Sequence, residues 1–138
     1  MATRLTNFPN GITCGGGNQR HSLAGVELKL IATFDPTSST QVLLGTLPIG
    51  AIPMDVVSFG GGTGGTNPTV DIGTSGTTDL FANELRADVT RSAIASTTAG
   101  TGLGTQLTAA TPVYGKVGGS AATGGTVKVA IRFVVLPV

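Results

Sequence analysis

The sequence predicts an all-β protein folded as a β-sandwich, and three observations support this. Several segments alternate apolar with other side chains, which is the period of a half-buried strand. Turn clusters rich in glycine and proline separate these segments,. Of the 138 residues, 22 are glycine, 22 are threonine and only 11% are charged, against roughly 25% in an average soluble domain. The expected sandwich has about six strands, and a jelly roll is one arrangement of it.

The composition of residues 1–22 predicts an N-terminal arm. Residues 23–138 are expected to form a single β-sandwich domain. The arm is polar and contains a turn at Phe8-Pro9-Asn10-Gly11 and a glycine-rich stretch, Gly15-Gly16-Gly17-Asn18,. It has too few apolar residues to form a core of its own.

The first strand is expected over residues 26–33, where Ile31 is the exception to the alternation. The apolar series is Val26, Leu28, Leu30 and Ala32, and the polar series is Glu27, Lys29 and Thr33. A turn at residues 34–39 leads to a second strand over 40–45. After Pro48, Gly50 and Pro53, a third strand is expected over Met54–Phe59, and Gly60-Gly61-Gly62 end it,.

The remaining elements are one short helix and three further strands. Residues 69–72 predict a short strand. Asp79 is a suitable N-cap, and Leu80, Phe81 and Leu85 have helical spacing, so a helix of about two turns is expected from Asp79 to Arg86,. Residues 88–111 fit either a strand pair or a long loop. The last two strands are expected over 111–117 and 126–135.

Charge and hydropathy exclude several classes of protein. The net charge is +1 and the eight basic residues are scattered, so no basic surface for nucleic acid is expected. No segment is apolar enough to cross a membrane, and no secretory signal follows Met1. Cys14 is the only cysteine and has no partner for an internal disulfide.

Catalytic chemistry is not expected, and no cofactor is predicted. His21 is the only histidine, and a residue in an arm lacks the rigid surroundings that a general base needs. Cys14 and His21 are too few ligands for zinc. Asp71 and Asp79 enclose a loop of hydroxyls and glycines that could supply oxygen ligands to calcium, although the EF-hand spacing is absent. In the alternative interpretation, Asp71 ends a strand and Asp79 caps the helix.

Residues 47–81 resemble small structural proteins of tailed bacteriophages. The stretch Leu47-Pro48-Ile49-Gly50-Ala51 is similar to their Leu-Pro-x-Gly-Ala approach to a strand. The stretch Ile72-Gly73-Thr74-Ser75-Gly76-Thr77-Thr78-Asp79 is similar to their Val-Gly-Thr-Ser-Gly-x-x-Asp segment, with Ile in place of Val. Several of those proteins are head decoration, or cement, proteins on the outside of the capsid.

The resemblance implies a structural virion protein on the capsid exterior, made in the host cytoplasm. Its expected partner is the major capsid protein, and its expected state is a homo-oligomer, a dimer or a trimer. Such a protein stabilises contacts between capsid subunits by burying area at their joints. Leu5, Phe8 and Ile12 are the expected partner-binding residues, because they are the only sizeable apolar side chains of the arm.

Tail and fibre proteins also contain strands rich in glycine and threonine, so a second hypothesis stays open. In it, the protein recognises a host surface through the loops at residues 60–67 and 99–104. Few aromatic residues are available for such recognition,.

Overall fold

A computed structural model of the protein describes residues 26–93 and 100–138. The predicted arm, with Leu5, Phe8 and Ile12, lies outside these residues, as do Cys14 and His21. The described residues form ten β-strands: β1 (Glu27–Phe34), β2 (Val42–Leu47), β3 (Ala51–Phe59), β4 (Gly62–Thr63), β5 (Thr69–Gly73), β6 (Ala82–Arg86), β7 (Ser92–Ala93), β8 (Thr111–Val117), β9 (Gly124–Gly125) and β10 (Val127–Val135).

Two four-stranded antiparallel sheets contain eight of these strands. Sheet 1 has the order β1-β10-β3-β7, and sheet 2 has the order β2-β8-β5-β6. Strands β4 and β9 form a separate two-stranded ribbon. The two inner faces enclose one apolar core. Its largest fully buried side chains include Phe81, Leu47, Ile72, Leu85 and Ile131. The predicted all-β sandwich is therefore confirmed.

The alternating segments of the sequence form the expected strands. In β10, Val127, Val129, Ile131 and Phe133 are buried in the core, and Lys128 on the opposite face is exposed. The predicted strand over 111–117 has the same bounds as β8. Strand β2 begins and ends two residues later than predicted.

Strand β3 begins three residues earlier than predicted. The prediction placed Pro53 before the strand, whereas Pro53 lies inside it. Proline has no N–H for the ladder and is tolerated in strands at edges and irregularities. Pro53 pairs with Phe133 where the register between β3 and β10 shifts, so the missing donor falls at a bulge.

The predicted helix from Asp79 to Arg86 is wrong. Asp79 lies in a turn, and Ala82–Arg86 form β6, so Asp79 caps no helix. Val70 pairs with Leu85 and Ile72 pairs with Ala82. One residue of β5 therefore lies opposite two residues of β6, which defines a β-bulge. Because of the bulge, the side chains of Ala82 and Leu85 both point into the core although they are three positions apart. Residues on one face of a helix have the same spacing.

A hydrogen bond joins the two sheets inside the sandwich. The buried Ser58 of β3 donates its hydroxyl to the backbone carbonyl of Arg86 in β6 at 2.9 Å. The N–H of Arg86 donates to the hydroxyl of Ser92 at 3.1 Å. Both backbone polar groups of Arg86 are thus satisfied by serines of sheet 1.

In the segment predicted as either strands or a loop, the described residues 88–93 include the short strand β7, and turns follow from residue 100. Gly100 and Gly102 donate backbone hydrogen bonds to Phe81 and Leu80, at 3.2 and 2.8 Å. These bonds hold the turns against the end of sheet 2. Among the described residues, no helix is long and apolar enough to cross a membrane.

Candidate interaction surface

The outer face of sheet 1 carries apolar side chains between charged ones. The strand register places Ile31, Ala130 and Val57 side by side on β1, β10 and β3. Lys29, Arg132 and Asp55 form the row on one side of them. Thr33, Lys128 and Phe59 form the row on the other side.

The middle row forms the floor of a depression. Val57 and Ala130 are only 6% and 9% exposed although they point away from the core, whereas Ile31 is 59% and Phe59 is 41% exposed. A cavity of about 450 Å³ lies here, and its walls include Lys29, Asp55, Arg91 and Arg132 in addition to these four side chains.

A second cavity of about 510 Å³ continues past Phe59, which lines both cavities. Its other lining residues are Thr33, Gly60, Gly61, Thr126 and Lys128. We call the two cavities together the β10 groove. The groove runs along the outer face of β10 and combines an apolar floor with a rim of long cationic side chains.

Arg132 is the one rim cation whose charge is compensated within the described chain. Its guanidinium donates to Asp55 Oδ2 through Nη2 at 2.9 Å and Nε at 3.2 Å, and to Glu27 Oε2 through Nη1 at 3.0 Å. These bonds tie β10 to both neighbouring strands. They also allow Lys29, a like charge, to lie directly opposite Arg132 on β1.

Lys29, Arg91 and Lys128 are exposed. Within residues 26–93 and 100–138, none of them lies within ion-pair distance of a carboxylate. The groove therefore has a positive rim.

The outer side of sheet 2 carries the opposite charge. Asp71 on β5, Asp79 in the turn that precedes β6, and Glu84 on β6 form what we call the acidic patch. Lys116, the cross-strand partner of Asp71, is its one cation. The Asp71 carboxylate accepts the backbone N–H of Glu84 at 2.7 Å.

Partial burial raises the pKa of the Asp71 carboxyl above its ordinary value,. The Glu84 N–H bond and the positive charge of Lys116 oppose this rise, and the negative charges of Asp79 and Glu84 add to it. Asp71 is thus near enough to Asp79 and Glu84 to be repelled by both carboxylates.

The suggested calcium site gains no support from this geometry. One oxygen of Asp71 is committed to the Glu84 N–H. Over the described ranges, no group of three or more histidine, cysteine, aspartate or glutamate side chains is arranged to hold a metal ion.

Sequence reasoning did not identify the β10 groove, although one signal pointed to it. Ile31 is an apolar residue on the polar side of an alternating strand, and it lies at the middle of the groove. Phe59 and Arg91 gave no such signal, because only the pairing of β10 with β3 and of β3 with β7 brings them to this face.

The fold is similar to chains in solved bacteriophage capsids. A chain of the Cyanophage Pam1 capsid asymmetric unit aligns with a TM-score of 0.63 and 24% identity, covering 98% of this chain and 100% of that one. A chain of the acidic stable capsid structure of Helicobacter pylori bacteriophage KHP30 aligns with a TM-score of 0.59 and 17% identity, covering 83% and 91%. A chain of the Ralstonia phage GP4 capsid aligns with a TM-score of 0.56 and 22% identity, covering 98% and 93%.

At these identities the likeness establishes a shared β-sandwich fold. No protein-family model matches the sequence, and no curated protein matches it.

Proposed function

We propose that this chain is a structural virion protein of a tailed bacteriophage. In this proposal it binds the outer surface of the capsid and stabilises contacts between subunits of the major capsid protein. The observation that carries the proposal is the fold likeness, which spans nearly the whole of this chain and of chains from phage capsids. A likeness over both full lengths supports a common role better than a shared fragment would.

The strand order supports assignment of the sandwich to the jelly-roll class. With the β4–β9 ribbon set aside, eight of the described strands remain. Their nested pairs are first with eighth, second with seventh, third with sixth, and fourth with fifth. Successive pairs alternate between the two sheets. This is the pattern of a long hairpin rolled up on itself, as found in viral capsid domains.

A non-enzymatic role is also part of the proposal. The carboxylates of Glu27 and Asp55 hold Arg132, and that of Asp88 pairs with Arg86 at 2.7 Å. These acids have structural partners, which supports a protein that binds and packs.

We propose that the arm at residues 1–22 contributes to capsid binding through Leu5, Phe8 and Ile12. Apolar side chains that become buried on binding add contact area, at the entropic cost of immobilising them. In this scheme the sandwich over 23–138 is a stable body and the arm supplies a contact that attachment requires.

The copy number in purified virions tests the proposal. Quantitative mass spectrometry should find this chain at a number comparable to that of the major capsid protein, and cryo-electron microscopy should locate it on the shell exterior. Absence from particles would refute a virion role. Only a few copies, located at the tail, would replace it with the host-recognition hypothesis.

Deletion of residues 1–22 tests the arm separately. The shortened protein should keep its β-sheet circular dichroism and lose attachment to capsids that lack the wild-type protein. Replacing Leu5, Phe8 and Ile12 by serine should have the same effect, and replacing Thr3, Thr6 and Thr13 by alanine should leave attachment intact. Full attachment of the serine variant would remove the arm from the binding mechanism.

A further inference from the structure

The β10 groove and the acidic patch are complementary surfaces on opposite sides of the same molecule. The groove has an apolar floor and exposes Lys29, Arg91 and Lys128 around it. The patch exposes Asp79 and Glu84 beside the half-buried Asp71. We infer that the β10 groove of one copy binds the acidic patch of a second copy.

The charge inventory of the chain supports this pairing. All seven acidic residues lie in the described ranges. Glu27 and Asp55 are bound to Arg132, and Asp88 is bound to Arg86. Asp35 accepts the backbone N–H of Thr37 at 2.8 Å. The acidic patch is therefore the one cluster of carboxylates that the chain can offer to the groove.

The groove cannot obtain these carboxylates from its own molecule. The groove lies on the outer face of sheet 1 and the patch on the outer side of sheet 2, so the core separates them. Residues 1–25 contain Arg4 and Arg20 and no acidic residue. The chain's own arm would add positive charge to a positive rim, which disfavours it as the occupant.

The contact also buries the apolar floor of the groove, so it does not depend on exposed ion pairs alone. Isolated surface ion pairs contribute little, and ionic strength screens them. A partner that also covers Ile31 and Phe59 removes apolar area from water,. Opposite charges then fix the orientation and accelerate association.

The two surfaces differ, so the contact is heterologous. Contacts of this type build a closed ring when the rotation between copies closes, and a filament when it does not. The inference stands apart from the virion proposal, because self-association is a property of the purified protein and virion location is a property of the particle.

Charge reversal on each surface tests the inference by sedimentation velocity at low and high salt. Wild type should associate, more strongly at low salt. The groove variant K29E/K128E and the patch variant D79K/E84K should each associate about tenfold more weakly or not at all. Circular dichroism and melting temperature should match wild type, because all four side chains are exposed.

The protein carrying all four substitutions is the matched control. It has the net charge of wild type, with the two surfaces exchanged in sign, and its association should be restored. An equimolar mixture of the groove variant and the patch variant should also associate, with the two variants in alternation, because each groove then meets a patch of opposite charge on the other variant. A monomeric wild type at low salt, or variants that associate as wild type does, would overturn the inference.

Discussion

The Asp71 carboxylate accepts the backbone N–H of Glu84 at 2.7 Å, across the bulge between β5 and β6. Glu84 adopts a left-handed backbone conformation, with φ of 54°. This conformation costs an L-residue about 1–2 kcal/mol, and glycine adopts it freely. The hydrogen bond that the Glu84 N–H donates to Asp71 stabilises an unfavourable backbone conformation that the bulge requires.

Replacing Glu84 by glycine should therefore stabilise the protein by up to about 1 kcal/mol, since the relief of strain exceeds the entropic cost of glycine. Asn83, the other residue of the bulge, has no positive φ. Its replacement by glycine should lower the free energy of unfolding by about 0.5–1 kcal/mol. Urea denaturation of the two variants measures both values, and the same sign for both would contradict the argument.

We expect Asp71 and Asp88 to lose their protons in a measurable order. The pKa of Asp71 is raised, chiefly by burial, and the pKa of Asp88 is lowered, chiefly by its hydrogen bond from Arg86. Carboxyl chemical shifts recorded against pH should show Asp71 titrating after Asp88 as the pH rises. Coincident titration would indicate that Asp71 is as well solvated as an ordinary surface residue.

The direction of the Asp71 pKa shift also determines how Asp71 affects the stability of the protein as the pH changes. A raised pKa means that the folded state binds the proton more tightly than the unfolded state, so this contribution to stability falls as the pH rises. The variant Asp71→Asn keeps an acceptor and does not titrate. From about pH 3 to about pH 6, the stability of Asp71→Asn relative to wild type should increase, and a decrease would reverse the assignment.

Gly60 allows two backbones to approach closely. Its N–H donates to the Val89 carbonyl at 2.9 Å. A Cβ at this position would collide with that oxygen and lie 2.7 Å from the Ala87 carbonyl oxygen. Gly60→Ala should lower the free energy of unfolding by about 1–3 kcal/mol.

Gly76 is the matched control for Gly60. A Cβ there would meet no atom within 4 Å, so Gly76→Ala should change stability by about 0.5 kcal/mol or less. Thermal and urea unfolding of the two alanine variants compare them directly. Equal stability of both would show that the backbone near Val89 shifts without cost.

Substitution of Ser58 measures how much the hydrogen bond between the sheets contributes to the free energy of unfolding. Ser58→Ala removes the donor to the Arg86 carbonyl inside the sandwich and should cost about 1–3 kcal/mol. Ser39→Ala, at an exposed turn, should cost about 0.5 kcal/mol or less. Chemical denaturation of both variants makes the comparison, and a neutral Ser58→Ala would mean that another donor satisfies this carbonyl.

The strands were most predictable from the sequence where apolar side chains recur at every second position. Strands β1 and β10 have this pattern, and their predicted ends agree with the structure to within about one residue. The prediction failed at β6, because a bulge places Ala82 and Leu85 on the same face. A spacing of three then describes a strand as well as a helix, and only the pairing with β5 distinguishes them.

The candidate surface was less predictable, because it depends on strands distant in sequence. Ile31, Val57 and Ala130 become neighbours through β10, which lies between β1 and β3. The sequence grouped the acidic residues Asp71 and Asp79, with calcium ligation as one of two interpretations. Glu84 joins them only because β6 is a strand.

The central position of β10 has a consequence for the order of folding. Strands β1 and β3 both pair with β10, and Glu27 contacts Arg132, which lies 105 positions later in the sequence. A chain emerging from the ribosome therefore cannot complete sheet 1 until residue 135 is free, and the apolar sides of β1 and β3 stay uncovered until then. Folds dominated by such distant pairings form slowly, and their uncovered strands are prone to aggregate. We therefore expect the yield during synthesis to depend on how quickly this one strand inserts between β1 and β3.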